Sequence, residues 1–97
     1  MAKYNVIFEW TGPEEHKKDF PNQYITRYDG DTFDTRTYAY MKDNNIQPKA
    51  LNIKDALKIM DYVNNGRCWD LIGWRAVICN AIEILDNGKY TFMGASQ

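Results

Sequence analysis

Trp74-Arg75-Ala76-Val77-Ile78-Cys79-Asn80-Ala81-Ile82-Glu83-Ile84-Leu85 admits two readings, and the choice between them sets the fold class. At period two, Trp74, Ala76, Ile78, Asn80, Ile82 and Ile84 share one face, as in a half-buried strand. At helical spacing Trp74, Ile78, Ala81 and Leu85 do so instead. The residues that follow decide the far end. Asp86-Asn87-Gly88 separates Ile82-Glu83-Ile84-Leu85 from Lys89-Tyr90-Thr91-Phe92, and an Asn-Gly step tolerates the positive φ angles of a tight two-strand turn. The extended reading is preferred there, while the stretch 74–85 taken alone fits either state. Gly94-Ala95-Ser96-Gln97 reads as a frayed tail.

Upstream, Asn52 is placed to cap a helix with a buried stripe of Ile53, Ala56, Leu57, Met60 and Val63. Lys54, Asp55, Lys58 and Asp61 then face water, and Asn64-Asn65-Gly66 ends the helix. On that placement Leu57→Asp strands a charge in the core and costs several kcal/mol. Arg67 to Trp74 is aromatic and irregular, with Gly73 as a break.

The N-terminal half opens with Tyr4-Asn5-Val6-Ile7-Phe8-Glu9-Trp10, a strand by its period-two face and by its stop at Thr11-Gly12-Pro13. Glu14 to Asp19 is a polar loop or single helical turn, closed by Phe20-Pro21. Tyr24-Ile25-Thr26-Arg27-Tyr28 is a second strand, stopped at Asp29-Gly30-Asp31. Residues 32–45 are ambiguous. Phe33, Thr37, Tyr40, Met41 and Asn44 form a helical stripe with Asp31 or Thr32 as N-cap, yet Thr35-Arg36-Thr37-Tyr38-Ala39-Tyr40 has strand composition. Helix is preferred, because Tyr40 to Asn45 resembles a helix end before Ile46-Gln47-Pro48. The resulting order β-β-α-α-β-β predicts one α+β domain over residues 1–97. Its expected form is a small antiparallel sheet of about four strands with two helices on one face.

Ninety-seven residues, 44% hydrophobic and 26% charged, suit one small globular domain and exclude disorder or a coiled coil. Lys and Arg number 12 against 13 Asp and Glu, a net charge of −1, so the basic excess of phosphate-binding proteins is missing and no direct nucleic-acid binding is expected. The opening residues lack an apolar core of signal-peptide type. The longest apolar run, Ala76-Val77-Ile78-Cys79, is far short of the ~20 residues of a membrane helix. Cys68 and Cys79 lack Cys-x-x-Cys spacing and read as reduced, mostly buried thiols, which favours a cytoplasmic location. Frequent Asn, Lys, Asp, Ile and Tyr is the signature of an AT-rich coding sequence, common in phages and low-GC bacteria.

Catalytic constellations are thin. Ser96 is the only serine and sits in the tail, so Ser-His-Asp chemistry is effectively excluded. His16 is the only histidine, and pairing it with Cys68 or Cys79 would need the fold to bring them together. Glu14, Glu15, His16 and Asp19 lack a second His or Cys for zinc. Asp29-Gly30-Asp31-Thr32-Phe33-Asp34 offers three carboxylates to a hard cation but departs from the calcium-loop pattern, and a turn followed by a helix cap is the plainer account. No glycine-rich phosphate loop exists. No catalytic residue, metal or cofactor is expected.

Two aromatic–cationic groupings stand out. Arg67, Trp69, Asp70, Trp74 and Arg75 form one, and Arg27, Tyr28 and Tyr38 belong to the other. Trp, Tyr and Arg are the residue types concentrated at interface hot spots, although large aromatics more often serve the core. The expectation is therefore a small, non-enzymatic cytoplasmic protein that binds a partner protein by surface contact. A phage- or mobile-element-type inhibitor of a host defence or nucleic-acid-processing protein fits this description, and homo-oligomers remain open. The alternative is a binder that sequesters a nucleotide-like ligand, within one chain or at an oligomer interface, through Trp69, Trp74, Arg67 and Arg75. An enzyme is the third reading, testable at His16, Cys68, Cys79 and the Asp29, Asp31 and Asp34 group.

Overall fold

Tyr4–Trp10 forms strand β1 in the computed structural model, which describes residues 3–84 and 90–92. Val6 and Phe8 are fully buried on one of its sides while Asn5 and Ile7 are buried on the other. A strand covered on both faces belongs in the middle of a sheet. It pairs antiparallel with β2 (Gln23–Tyr28) and β4 (Trp74–Asn80), and β2 pairs with β3 (Phe33–Thr37). The order is β3-β2-β1-β4, a four-stranded antiparallel sheet in an α+β fold. The β1–β4 ladder runs without interruption from Tyr4↔Asn80 to Trp10↔Trp74, so the ambiguous stretch is strand. Past Ala81, β5 (Ile82–Ile84) pairs with β6 (Tyr90–Phe92) as a separate two-stranded ribbon. Leu85, Lys89, the Asp86-Asn87-Gly88 turn and the tail 94–97 lie outside the described residues.

Residues 33–45 correct the helical expectation. Phe33–Thr37 is strand, and only Tyr38–Asp43 is helix (α1). The cause is the preceding turn. The Asp29 carboxylate accepts the N–H groups of Asp31 (2.9 Å) and Thr32 (2.8 Å), and Gly30 takes φ +98°, which folds the chain back onto β2. Ladder pairing then outweighs the helical stripe for Phe33 to Thr37. Thr37 becomes the N-cap, accepting the Tyr40 N–H at 3.3 Å, in place of Asp31 or Thr32. The order is β-β-β-α-α-β-β-β.

The helix layer differs as well. Ala56, Ile59 and Val63 of α2 (Ile53–Asn64) join Val6, Phe8, Ile25 and Ala76 in one core. Met41 of α1 joins Ile7, Tyr24 and Ile82, flanked by Val77 and Cys79, in a second. Successive residues of β1 alternate between these cores, so the helices take opposite faces of the sheet rather than one. The link between them passes through a fork in the sheet. β1 and β2 pair only at Ile7↔Tyr24 and Phe8↔Gln23. Beyond that point Lys49 N–H donates to the Ile25 carbonyl (2.7 Å), and Leu51 exchanges both backbone bonds with Tyr4 (2.7 and 2.6 Å). Asn5, almost fully buried, locks the fork. Its amide donates to the Lys49 carbonyl at 3.0 Å and its side-chain oxygen accepts Ile82 N–H at 2.7 Å.

Asn52 caps α2 as expected, accepting Asp55 N–H at 2.8 Å, but the helix is rotated from its predicted stripe. Ile53 and Leu57 are 45% and 46% exposed, so Leu57→Asp strands no charge in the core. At its far end Asn64 reaches the outer edge of β4, accepting Ala76 N–H (2.8 Å) and donating to Ala76 C=O (3.1 Å). Among the described residues no helix is long and apolar enough to cross a membrane.

Candidate functional site

After α2 the chain makes a 3-10 turn, Trp69–Leu71, closed by Leu71 N–H on the Cys68 carbonyl at 3.1 Å. Buried Leu71 pins this turn to the α2 core. Residues three apart share a side of such a turn. Trp69 and Ile72 therefore project together, 87% and 56% exposed, with exposed Arg67 two residues before Trp69.

Gly73 (φ +93°) then swings the chain into β4. Its carbonyl accepts both the backbone N–H (2.9 Å) and the hydroxyl (2.6 Å) of Thr11, and a side chain there would press on the Trp10 ring. Trp74, one residue on, is a packing residue. Its ring meets Trp10 edge-on at 5.7 Å and Phe20 at 6.3 Å, while Trp10 and Phe20 stack at 4.5 Å. Arg75 points to the other face and donates to Glu9, its cross-strand neighbour, at 3.0 Å. The grouping Arg67 to Arg75 is thus divided, with Arg67 and Trp69 displayed, Trp74 packed and Arg75 paired.

The second grouping is divided too. The Arg27 guanidinium is spent on the hairpin turn, donating to Asp34 (2.7 Å), Asp29 (3.2 Å) and Thr32 (3.2 Å). Backbone N–H donation from Thr32 and Asp31, the Thr32 hydroxyl and Arg27 hold the Asp29 carboxyl well below the usual range. Arg27 does the same for Asp34, and the two carboxylates raise Arg27 in return. The Asp29–Asp34 stretch therefore serves a turn. Tyr38 packs beside the Met41 core. On that face burial pushes the Cys79 thiol up, and its sulfur lies 3.8 Å from the Asn5 carbonyl. His16 sits in an exposed 3-10 turn, Glu14–His16, 3.8 Å from the Glu15 carboxylate.

Tyr28 and Asp70 both line a cavity of about 460 Å³ between α2 and the β2–β3 hairpin. Tyr28, Phe33 and Tyr62 give it aromatic walls, with Leu71 and Cys68 from the 3-10 segment. The Tyr28 hydroxyl is sealed from solvent without a hydrogen-bond partner of ordinary geometry. Burial first, then the carboxylates of Asp55, Asp29 and Asp31, raises its phenol above the ordinary value. The chain matches no protein-family model, no curated protein and no solved structure.

Phe33 and Tyr62 are the aromatic cavity residues that sequence reasoning missed. Phe33 was absorbed into a helical stripe that does not form. Tyr62 drew no attention, though it lies four residues beyond Lys58 on the flank opposite Ile53 and Leu57. The signal for Tyr62 is the surplus of apolar residues on α2, too many for one stripe, and for Phe33 it is the Asp29-Gly30-Asp31 turn, after which the chain can return as a strand.

Proposed function

We propose that this protein acts by surface contact, as a small non-enzymatic binding protein whose contact centre is Trp69. The observation that carries this reading is the exposure of that indole, 87%, on a turn anchored from below by Leu71. A large aromatic held in water by a fixed backbone buries its area only when something docks on it, and Trp is enriched among residues that dominate binding energy. Ile72 beside it and Arg67 before it supply an apolar and a cationic flank. The small chain, its balanced charge and the scarcity of catalytic constellations support a cytoplasmic inhibitor of phage or mobile-element type acting on a host protein.

The test pairs the wild-type chain with Trp69→Ala. The captured partner is identified and its affinity measured for both. Truncation of a hot-spot tryptophan is expected to weaken binding by at least about thirtyfold, roughly 2 kcal/mol, with the melting temperature unchanged. Equal affinity for the two forms overturns the reading. A rise in melting temperature with nucleotides or cyclic dinucleotides, and no protein partner, would point to ligand sequestration instead.

A further inference from the structure

The outer edge of β4 carries backbone groups without partners. Along an antiparallel pair, each residue either exchanges both hydrogen bonds with its neighbour or turns both groups away, and the two states alternate. Ala76 turns outward, because both of its groups go to the Asn64 side chain. Ile78 and Asn80 therefore turn outward too, while Val77 and Cys79 face Ile7 and Asn5 on β1. Tyr4 fits the same alternation, since it stands opposite Asn80 yet spends both groups on Leu51, on the other side of β1. Among the described residues nothing takes the N–H or C=O of Ile78 or Asn80. This open row is bounded at both ends. Asn64 closes it at Ala76, and past Asn80 the N–H groups of Ala81 and Ile82 go to the Lys3 carbonyl (3.1 Å) and the Asn5 side-chain oxygen (2.7 Å).

We propose that a second copy of this chain covers the row, β4 pairing antiparallel with β4 of the other copy about a two-fold axis at Cys79. Ile78 of each copy then exchanges both bonds with Asn80 of the other, and the two Cys79 residues stand opposite one another as a non-hydrogen-bonded pair. The neighbouring registers fail. With the axis at Ile78, Asn80 falls opposite Ala76, which Asn64 already holds. With the axis at Asn80, Ile78 falls opposite Ile82, whose N–H belongs to Asn5. At Cys79 every open group of both copies is used, and Ala76 falls opposite Ile82, the two positions that have partners of their own. A foreign strand answers one row only, whereas a second copy answers two at once. The ladder closes at two copies and joins two four-stranded sheets edge to edge. Trp69, on the turn before β4, takes no part in this pairing.

The experiment follows the full chain by sedimentation velocity from micromolar to near-millimolar concentration. A reversible monomer–dimer equilibrium without larger species is expected, and the amides of Ile78 and Asn80 should gain protection from hydrogen exchange as the dimer forms. Diamide, which takes up the two thiol hydrogens, should link the copies through Cys79 to Cys79, because the Cα atoms of such a pair lie about 4.5 Å apart, within disulfide reach. Asn80→Pro removes one outward donor from each copy and none from the β1 ladder. It should weaken the dimer about tenfold or more while the dilute chain keeps its strand spectrum. Trp69→Ala should dimerise as the wild type does. A chain monomeric over the whole range, a dimer with unprotected Ile78 and Asn80 amides, disulfides formed through Cys68 instead, or a dimer lost in Trp69→Ala overturns the proposal. The exchange and cross-linking measurements use the wild-type chain, so they decide the matter even where Asn80→Pro does not fold.

Discussion

Trp74 and Trp69 are five residues apart and have opposite environments. Trp74 closes the end of the sheet against Trp10 and Phe20, whereas Trp69 stands in solvent on a turn fixed by Leu71. The aromatic surplus of this chain therefore divides into rings that hold the fold and a ring that the fold displays. The division follows from backbone rather than residue type. Period two in β4 puts Trp74 on the packed face, and the 3-10 turn sends Trp69 away from Leu71.

The sharpest way to break this contrast is to truncate both rings. Trp74→Ala should destabilise the protein by about 3 kcal/mol, because the Trp10–Phe20 cluster loses a wall, whereas Trp69→Ala should change stability by less than ~0.5 kcal/mol. Denaturant unfolding measures both, and equal losses would erase the distinction. Next in size, Asn5→Ala leaves the buried N–H of Ile82 and the Lys49 carbonyl unpaired and should cost about 2 kcal/mol. Chemical shifts at residues 49 and 82 should report the change. Leu57→Asp carries the contrast to α2, where the expected change is within ~0.5 kcal/mol. A loss of several kcal/mol would restore the helix rotation read from sequence.

The smallest effect is a pH dependence confined to the β2–β3 turn. Asp29 and Asp34 titrate below their ordinary values when folded. Their contribution is complete above about pH 4 and is lost as pH falls further through the folded values. The amide resonances of Asp31 and Thr32 should follow that acid transition while those of Val77 and Ile78, in β4 away from any carboxylate neighbour in the chain, stay still. Titration of the turn near neutral pH would contradict the hydrogen bonds from Thr32 and Asp31.

The elements with one dominant local signal were legible. The strand Tyr4–Trp10 and the Asn52 cap with the helix Ile53–Asn64 are both present, whereas Trp74–Asn80, which fits a helix as well as a strand on local pattern, is settled as strand by its ladder with β1. What escaped depends on distant partners. Asp29-Gly30-Asp31 was legible as the end of a strand, but its role as a hairpin turn required β3, whose Phe33 and Thr37 also fit a helix stripe. The two-faced burial of β1 was implicit in Val6-Ile7-Phe8, apolar at three successive positions, which a one-faced sheet does not require. Trp69 was legible as a candidate from residue type alone. The cavity was not, since its walls come from β2, β3, α2 and the 3-10 turn, and only Tyr28 and Asp70 were among the expected site residues.

Asn64 offers Ala76 the donor and acceptor that a neighbouring strand would offer, at the one outer edge the sheet presents beside α2. An unprotected edge is a template on which further chains can assemble into aggregates. A single carboxamide interrupts that template at Ala76, so the molecule can carry exposed apolar side chains such as Trp69 and Ile72 while denying its own copies an uninterrupted row of backbone bonds to extend.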